Sequence, residues 1–410
     1  MSRIAPHSRA SVLTGLLAAG LVLAACGPAE QSNVPAGEPD GTPIPMDYTQ
    51  TFSVTELDDG IRVVDMRASV TSWGGAADGP EQRARIALIP REIEMPALTG
   101  PLAGSTVVRT PVERVATNFA PFEAALTALG VADRLVAVGG TTSYDDAIHA
   151  RVVAGELAQI GYGWHMPPIL DALAAAEADV MLMALADLSY AESIPRIEAL
   201  GTPVVPTFMA AEPHYLGRVD YVRLVGMLTG HEAKADSFVT MVHEEVDRLK
   251  TLAASQPQKS VLFAWYSGGD RWGVTVRNDD AQLLRDANAE VVLSEPDDAR
   301  LDAMAFLGTE HLLADATEAD CWVIQESGTE MYRDEGVLER FRAWQEGCVY
   351  GATLQSKPRR NAWEIFEAGV IRPDYMLGDI VKMLHPEVRP EPFRYLAPVG
   401  PTAGTAHVTP

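Results

Sequence analysis

The chain has 410 residues, 47% of them hydrophobic, with 32 basic against 56 acidic side chains and a formal net charge of −24. That length and apolar content suffice to bury a large core in more than one lobe. The charge argues against nucleic-acid binding, which needs basic patches to neutralise phosphates, but it does not forbid an anionic ligand, since a few local arginines reverse the field in one cleft.

In chain order, Arg3 and Arg9 precede the apolar run "SVLTGLLAAGLVLAAC", a basic start followed by a stretch too short to span a bilayer comfortably. Leu23-Ala24-Ala25-Cys26 matches the lipobox of bacterial lipoproteins. The match implies a signal peptide over 1–25 and lipidation of Cys26, hence a location in the cell envelope, on its periplasmic side. Residues 26–47 are rich in Pro, Gly and small polar residues and predict a flexible tether, because they bury too little apolar surface to offset ordering entropy. Over 48–110 the runs "TFSVTEL", "IRVVDMRASV", "RARIALIP" and "STVVRTPV" alternate in a β manner between Gly and Asp clusters. They predict an N-terminal antiparallel β extension.

From residue 111 strands alternate with helices. "ERVAT", "RLVAVGG", "DVMLMAL" and "PVVPTF" are predicted strands; "PFEAALTAL" (stopped by Gly130), "PPILDALAAAEA" and "SIPRIEALG" are predicted helices. This alternation gives an α/β lobe over 111–228 with a parallel sheet. Ligands gather outside the carboxyl ends of such strands. The loops there hold Asn118, Phe119, Tyr144, Trp164, His165, Ser189, Tyr190, Glu212 and His214.

Thr229-Gly-His-Glu232 has the form of a capping box, opening a helix over 229–254 whose Ala235, Phe238, Val242, Val246, Leu249 and Ala253 keep helical spacing. A second α/β lobe follows over 255–395: "SVLFAWY", the helix "DAQLLRDAN", "EVVLS", a helix around "TEHLLADAT", "DCWVIQ", one helix "GVLERFRAWQEG", "CVYGAT" and a last amphipathic helix "PDYMLGDIVKMLHPEV". Residues 396–410 form a tail. The predicted fold class is therefore α/β, two Rossmann-like lobes with parallel sheets joined by one long helix. Among phosphate-loop, dinucleotide and nucleophile-elbow motifs, none occurs. Cys321 and Cys348 open two strands joined by one helix, so a right-handed crossover sets them about 5 Å apart on parallel neighbours. A disulfide and two buried thiols both remain open, since neighbouring side chains point parallel and cysteine is a common buried apolar residue.

"ERVATNFAPFEAALTALGVADRLVAVGG", "IGYGWHMPPILDALAAAEADVMLM", "IEALGTPVV", "LVGMLTGHEAKADSF" and "NAWEIFEAGVIRPDYMLGDIVKMLHPE" occur in an order that resembles the substrate-binding proteins of bacterial ABC importers. The resemblance runs from Tyr48 to Tyr395, within the class that has a rigid helical connector and takes up ferric siderophores, haem and cobalamin. It implies a tethered monomer that hands a ferric siderophore, or alternatively haem or cobalamin, to an ABC permease and its ATPase. It implies neither an enzyme nor a resident cofactor or metal. In this family an acid at the start of a short helix in each lobe docks on the permease, and Asp171 and Glu310 occupy those places. Asp171 departs from the usual Glu. Trp164, His165 and Tyr144 of the first lobe are expected to face the cleft. Trp265, Tyr266, Arg271 and Trp272 of "AWYSGGDRWG", and Arg359, Arg360, Asn361 and Trp363 of "KPRRNAWE", are expected opposite them. Exposed indoles offer flat apolar faces, and paired arginines suit carboxylates, catecholates or propionates. An envelope hydrolase is the alternative of another class, but Ser267 and Ser327 have no identifiable His partner. A free-metal receptor using His165, His214 and Glu212 is the third reading.

Overall fold

A computed structural model describes residues 39–71, 74–75, 80–163, 166–185, 188–275, 279–293, 304–324 and 335–400. The lipobox with Cys26, and the loop residues Trp164 and His165, lie outside the described residues. Six strands open the chain: β1 (Thr42–Ile44), β2 (Phe52–Glu56), β3 (Arg62–Thr71), β4 (Gly74–Gly75), β5 (Glu81–Pro90) and β6 (Thr106–Thr110). All pairs are antiparallel except β5–β6, which is parallel. Two-residue periodicity divides this sheet between two apolar clusters. Phe52, Val54, Val64, Met66, Ile86 and Leu88 join the main core, while Ile61, Val63, Ala87, Ile89 and Leu102 form a small one on the other face. β1 lies in the segment predicted as tether, because it pairs in register with β2.

The first lobe holds β7 (Val115–Thr117), α1 (Ala120–Leu129), β8 (Leu135–Val138), α2 (Asp146–Val153), β9 (Ala158–Gln159), α3 (Leu170–Ala175), β10 (Val180–Ala184), α4 (Leu188–Ala191), α5 (Ile194–Ala199) and β11 (Val204–Thr207). The sheet order is β11-β10-β7-β8-β9, all parallel. Chain direction across the sheet reverses between β7 and β10, the place where doubly wound folds leave a crevice. A helix that the sequence pattern did not single out, α6 (Tyr215–Thr229), leads into α7 (Glu232–Ala254), whose 23 residues make a connector roughly 35 Å long. Ala235, Val239, Val242, Val246, Leu249 and Ala253 form its buried stripe, whereas Phe238 lies at the stripe's edge.

The predicted capping box is not formed. Thr229 is the last residue of α6 and its hydroxyl donates back to the Val225 carbonyl at 2.8 Å. Gly230, at φ 70°, ends that helix, and Glu232 pairs with Arg62 of the β extension at 2.7 Å.

The second lobe comprises β12 (Lys259–Gly268), β13 (Arg271–Thr275), α8 (Asp279–Asp286), β14 (Ala289–Val291), β15 (Met304–Gly308), α9 (Thr309–Asp315), β16 (Cys321–Ile324), α10 (Glu335–Leu338), α11 (Arg342–Glu346) and β17 (Val349–Gly351). The small hairpin β18 (Ser356–Lys357) and β19 (Ala362–Trp363), then α12 (Ala368–Ile371), α13 (Pro373–Leu384) and β20 (Ala397–Pro398), complete it. β12 is parallel to β14 and β16 over its first half and then turns into a hairpin with β13. The single helix predicted at "GVLERFRAWQEG" is two short helices, and β20, in the predicted tail, pairs antiparallel with β17. Cys321, which opens β16, and Cys348, which immediately precedes the parallel neighbour β17, form a disulfide with Cα atoms 4.8 Å apart. Among the described residues no helix is long and apolar enough to cross a membrane.

Candidate functional site

Segments following the carboxyl ends of β8 and β17 meet where the two lobes touch. Tyr144 stands just before α2, where Asp145 caps the helix by accepting from the Ala147 and Ile148 amides. The Tyr144 hydroxyl donates to Gln355 Oε1 at 2.6 Å, and its amide donates to both Glu367 oxygens at 2.8 Å. Lys357 donates to the Tyr144 carbonyl at 2.7 Å and lies 4.2 Å from the centre of its ring. Asp146 accepts from Lys357 at 2.9 Å and Arg360 at 2.5 Å, and those two hydrogen bonds hold its carboxyl below the usual range. Asn361, in the left-handed region at φ 54°, donates to the Tyr162 hydroxyl at 3.1 Å. Trp363 is half-buried on β19. Arg359 is exposed on the same hairpin and makes no ion pair among the described residues. Tyr162, Met166 and Ile169 present exposed apolar surface on the first lobe, as does Leu354, next to Gln355, on the second.

The structure thus brings Tyr144, Arg360, Asn361, Trp363 and Arg359 to one place. The aromatic group on β12–β13 behaves differently. Trp272 is only 2% exposed, its indole N–H donates to Thr309 Oγ1 at 3.0 Å, and its ring packs against Trp322 and Tyr266. It is a core residue of the second apolar cluster and does not face a cleft. Trp265 lies flat on Gly273, where an added Cβ would come within 2.3 Å of the indole. The Tyr266 hydroxyl donates to the Gly269 carbonyl within the turn, and Arg271 sits over Phe306 at 4.7 Å on the outer edge. The strand continues into a hairpin packed on itself, so cross-strand pairing consumes much of the aromatic surface.

Glu212 and His214 also leave the cleft. Glu212 is buried and accepts from the Gln50 amide at 3.0 Å, the Thr51 hydroxyl at 2.5 Å and the Thr49 hydroxyl. Asp220 accepts from the Tyr48 and Thr49 amides, so two acids fasten the β extension to the first lobe. His214 caps α6 through Nδ1 and stacks on Tyr48. One cluster, Asp47, Asp220 and His243, has metal-like spacing, but Arg223 already bridges both carboxylates at 2.7 Å. Asn118 is buried and clamps the ends of β7 and β10 through both faces of Ala184. Asp171 and Glu310 are exposed in the first turns of α3 and α9.

A cavity of about 510 Å³ lies beside this contact, lined by α1, the segment 143–148, Phe238 of α7 and residues of the second lobe between Lys357 and Arg394. Two of its acids, Glu123 and Glu367, carry no marking in the sequence as site residues. Glu123 sits in the first turn of α1, where an acid ordinarily serves only the helix terminus. The available signal is its place beside Phe122 and three residues before Leu126, at the edge of a buried face.

The sequence model of the periplasmic binding protein family matches residues 115–350, more than half of the chain. Among solved structures, an ABC transporter solute-binding protein from Sulfurospirillum deleyianum superposes with a TM-score of 0.52 at 16% identity, over 70% of this chain and 88% of its own. A periplasmic haem-binding protein from Pseudomonas aeruginosa gives 0.52 at 17% identity, over 70% and 98%. The siderophore-binding protein BauB, bound to two acinetobactin molecules and ferric iron, gives 0.51 at 14% identity, over 68% and 95%. Likeness at these identities is a likeness of fold. No curated protein matches the sequence.

Proposed function

The chain belongs to the periplasmic binding protein family, and from that premise we propose that it binds a ferric siderophore and delivers it to the permease of an ABC importer. It is a binding protein and not an enzyme, and what it carries is cargo, not a cofactor. The observation that carries the choice of cargo is the basic hairpin Ser356–Trp363. In a chain of net charge −24, it gathers Lys357, Arg359 and Arg360 beside Tyr144, Tyr162 and Trp363, with Arg359 left unpaired among the described residues. Catecholate and carboxylate chelates are anionic and present oxygen donors and, for catecholates, planar rings at their surface, and these match forked donors next to aromatic faces. Trp164 and His165 belong to the same proposed site.

The accompanying organisation is a signal peptide over 1–25, a lipid on Cys26 that holds a monomer to the membrane, a tether and β extension, and lobes at 111–228 and 255–395 around the helix 229–254. Asp171 and Glu310 are the proposed permease contacts. The same role for haem or cobalamin is the second reading, since haem propionates use the same donors. The test begins with the absorbance spectrum of protein purified from its own envelope, followed by fluorescence titration with a ferric catecholate. Quenching that is weakened about tenfold in Kd by Arg359→Ala supports the proposal, a tenfold change being 1.4 kcal/mol. A haem or corrinoid spectrum moves the cargo to the second reading, and no response to any of the three sinks the cleft assignment.

A further inference from the structure

We propose that Glu123 and Glu367 form a proton-binding pair across the lobe interface, whose ionisation loosens the contact between the lobes as pH rises. The inference needs only the two lobes and stands apart from the identity of the cargo. One carboxyl comes from α1 of the first lobe and the other from the turn before α12 of the second, and both line the same cavity. They are 5% and 8% exposed. Glu123 Oε2 is buried with no hydrogen-bond partner, and the bonds of Glu367 run from the Tyr144 amide of the opposite lobe.

Every cation lining the cavity is already engaged. Lys357 pairs with Asp146, Arg394 with Glu364, and Arg372 with Asp374. Asp145, the other nearby acid, is spent on capping α2, and His149 lies against the Thr141 carbonyl. The connector contributes Phe238 and α13 contributes Tyr375, neither of them a counter-charge. Burial raises the Glu123 carboxyl to about 7, with Ser143 opposing and Asp145 adding to the shift. Burial raises Glu367 to about 8; the Tyr144 amide opposes, and the negative charges of Glu123, Asp145 and Glu364 add to it.

The sign follows from these directions. A hydrated carboxyl, as in separated lobes, titrates near its ordinary value of 4.5, whereas the closed contact keeps its protons to about 7 and 8. Closed lobes therefore hold protons that separated lobes release. Each such proton makes separation about tenfold more favourable per pH unit inside that window, and the effect levels off above it. The rigid connector does not prevent this, because hydrating two carboxylates needs a gap on the order of one water molecule.

Hydrogen–deuterium exchange tests it, read as protection factors so that the intrinsic pH dependence of exchange divides out. From pH 5.5 to 8.5, protection over 143–148 and 364–372 should fall at least tenfold in the wild-type protein, while β10 stays constant. In the Glu123→Gln, Glu367→Gln double variant it should stay level, since both side chains keep their shape and lose their charge. Glu123→Gln alone should give a shallower pH slope, and it serves if the double variant does not fold. A level wild-type profile, or variants that fall as steeply as wild type, would overturn the proposal.

Discussion

Glu212 collects the Gln50 amide and the Thr49 and Thr51 hydroxyls in a buried site, and its partner Asp220 takes the Tyr48 and Thr49 amides. Removing such an acceptor strands several donors that water does not reach, so Glu212→Ala should lower stability by about 3 kcal/mol. Urea unfolding measures it, and a loss below about 0.5 kcal/mol would show that the extension is held by its apolar face alone. The same reasoning separates two roles for Trp272. Its ring fills a core with Trp322, so Trp272→Ala should cost about 3–5 kcal/mol of stability and leave cargo affinity unchanged in the folded fraction. Lost affinity at full folding would return it to the cleft. From sequence, an aromatic residue after a strand looks the same in either role. Only the antiparallel pairing of its own strand β13 with β12, across the turn at Gly268 and Gly269, decides that it points inward.

At the scale of elements, what was legible followed periodicity. The stripe Ala235, Val242, Val246, Leu249 and Ala253 announced the connector, and α1 ends at Gly130 as its glycine stop predicts. The strands β7, β8, β10 and β11 were visible as short apolar runs between helices. What was hidden depended on tertiary pairing. α6 is buried nearly all round, so it shows no amphipathic stripe, and Thr229 closes it where the local pattern suggested a start. The disulfide remained undecided because strand adjacency fixes the Cα separation but not the direction of the side chains. The acids proposed to dock on the permease are a further case of an element-level reading, since each lies exposed in the first turn of a short helix. An exposed ion pair contributes at most about 1 kcal/mol, a factor of about five. Glu310→Ala and Asp171→Ala should each lower importer-dependent uptake by up to about that factor, with cargo Kd unchanged. The double variant should lose roughly the product. Uptake at wild-type level in the double variant would remove both residues from the permease interface.

Across the whole molecule, the proposed cargo site and the proposed proton pair would act on one equilibrium between contacting and separated lobes. Cargo at the proposed site beside Tyr144 and the hairpin Ser356–Trp363, which already touch across the lobes, would favour contact, and so would the protons proposed on Glu123 and Glu367. Coupling of this kind is reciprocal: if protons favour the contact that cargo needs, cargo must bind more tightly where the protons are retained. Affinity for a ferric chelate should therefore weaken as pH rises from 6 toward 8.5, by at most about tenfold per pH unit for each proton that cargo binding takes up. Asp146, held ionised by Lys357 and Arg360, stays charged throughout this range and adds nothing to the slope. Titrations of the wild-type protein and of the Glu123→Gln, Glu367→Gln double variant, with the same chelate at both pH values, cancel any change in the chelate itself. A steeper loss in wild type than in the double variant is expected. Equal losses would mean that the protons and the cargo act on different contacts, leaving the exchange behaviour of the interface to be explained without the cargo.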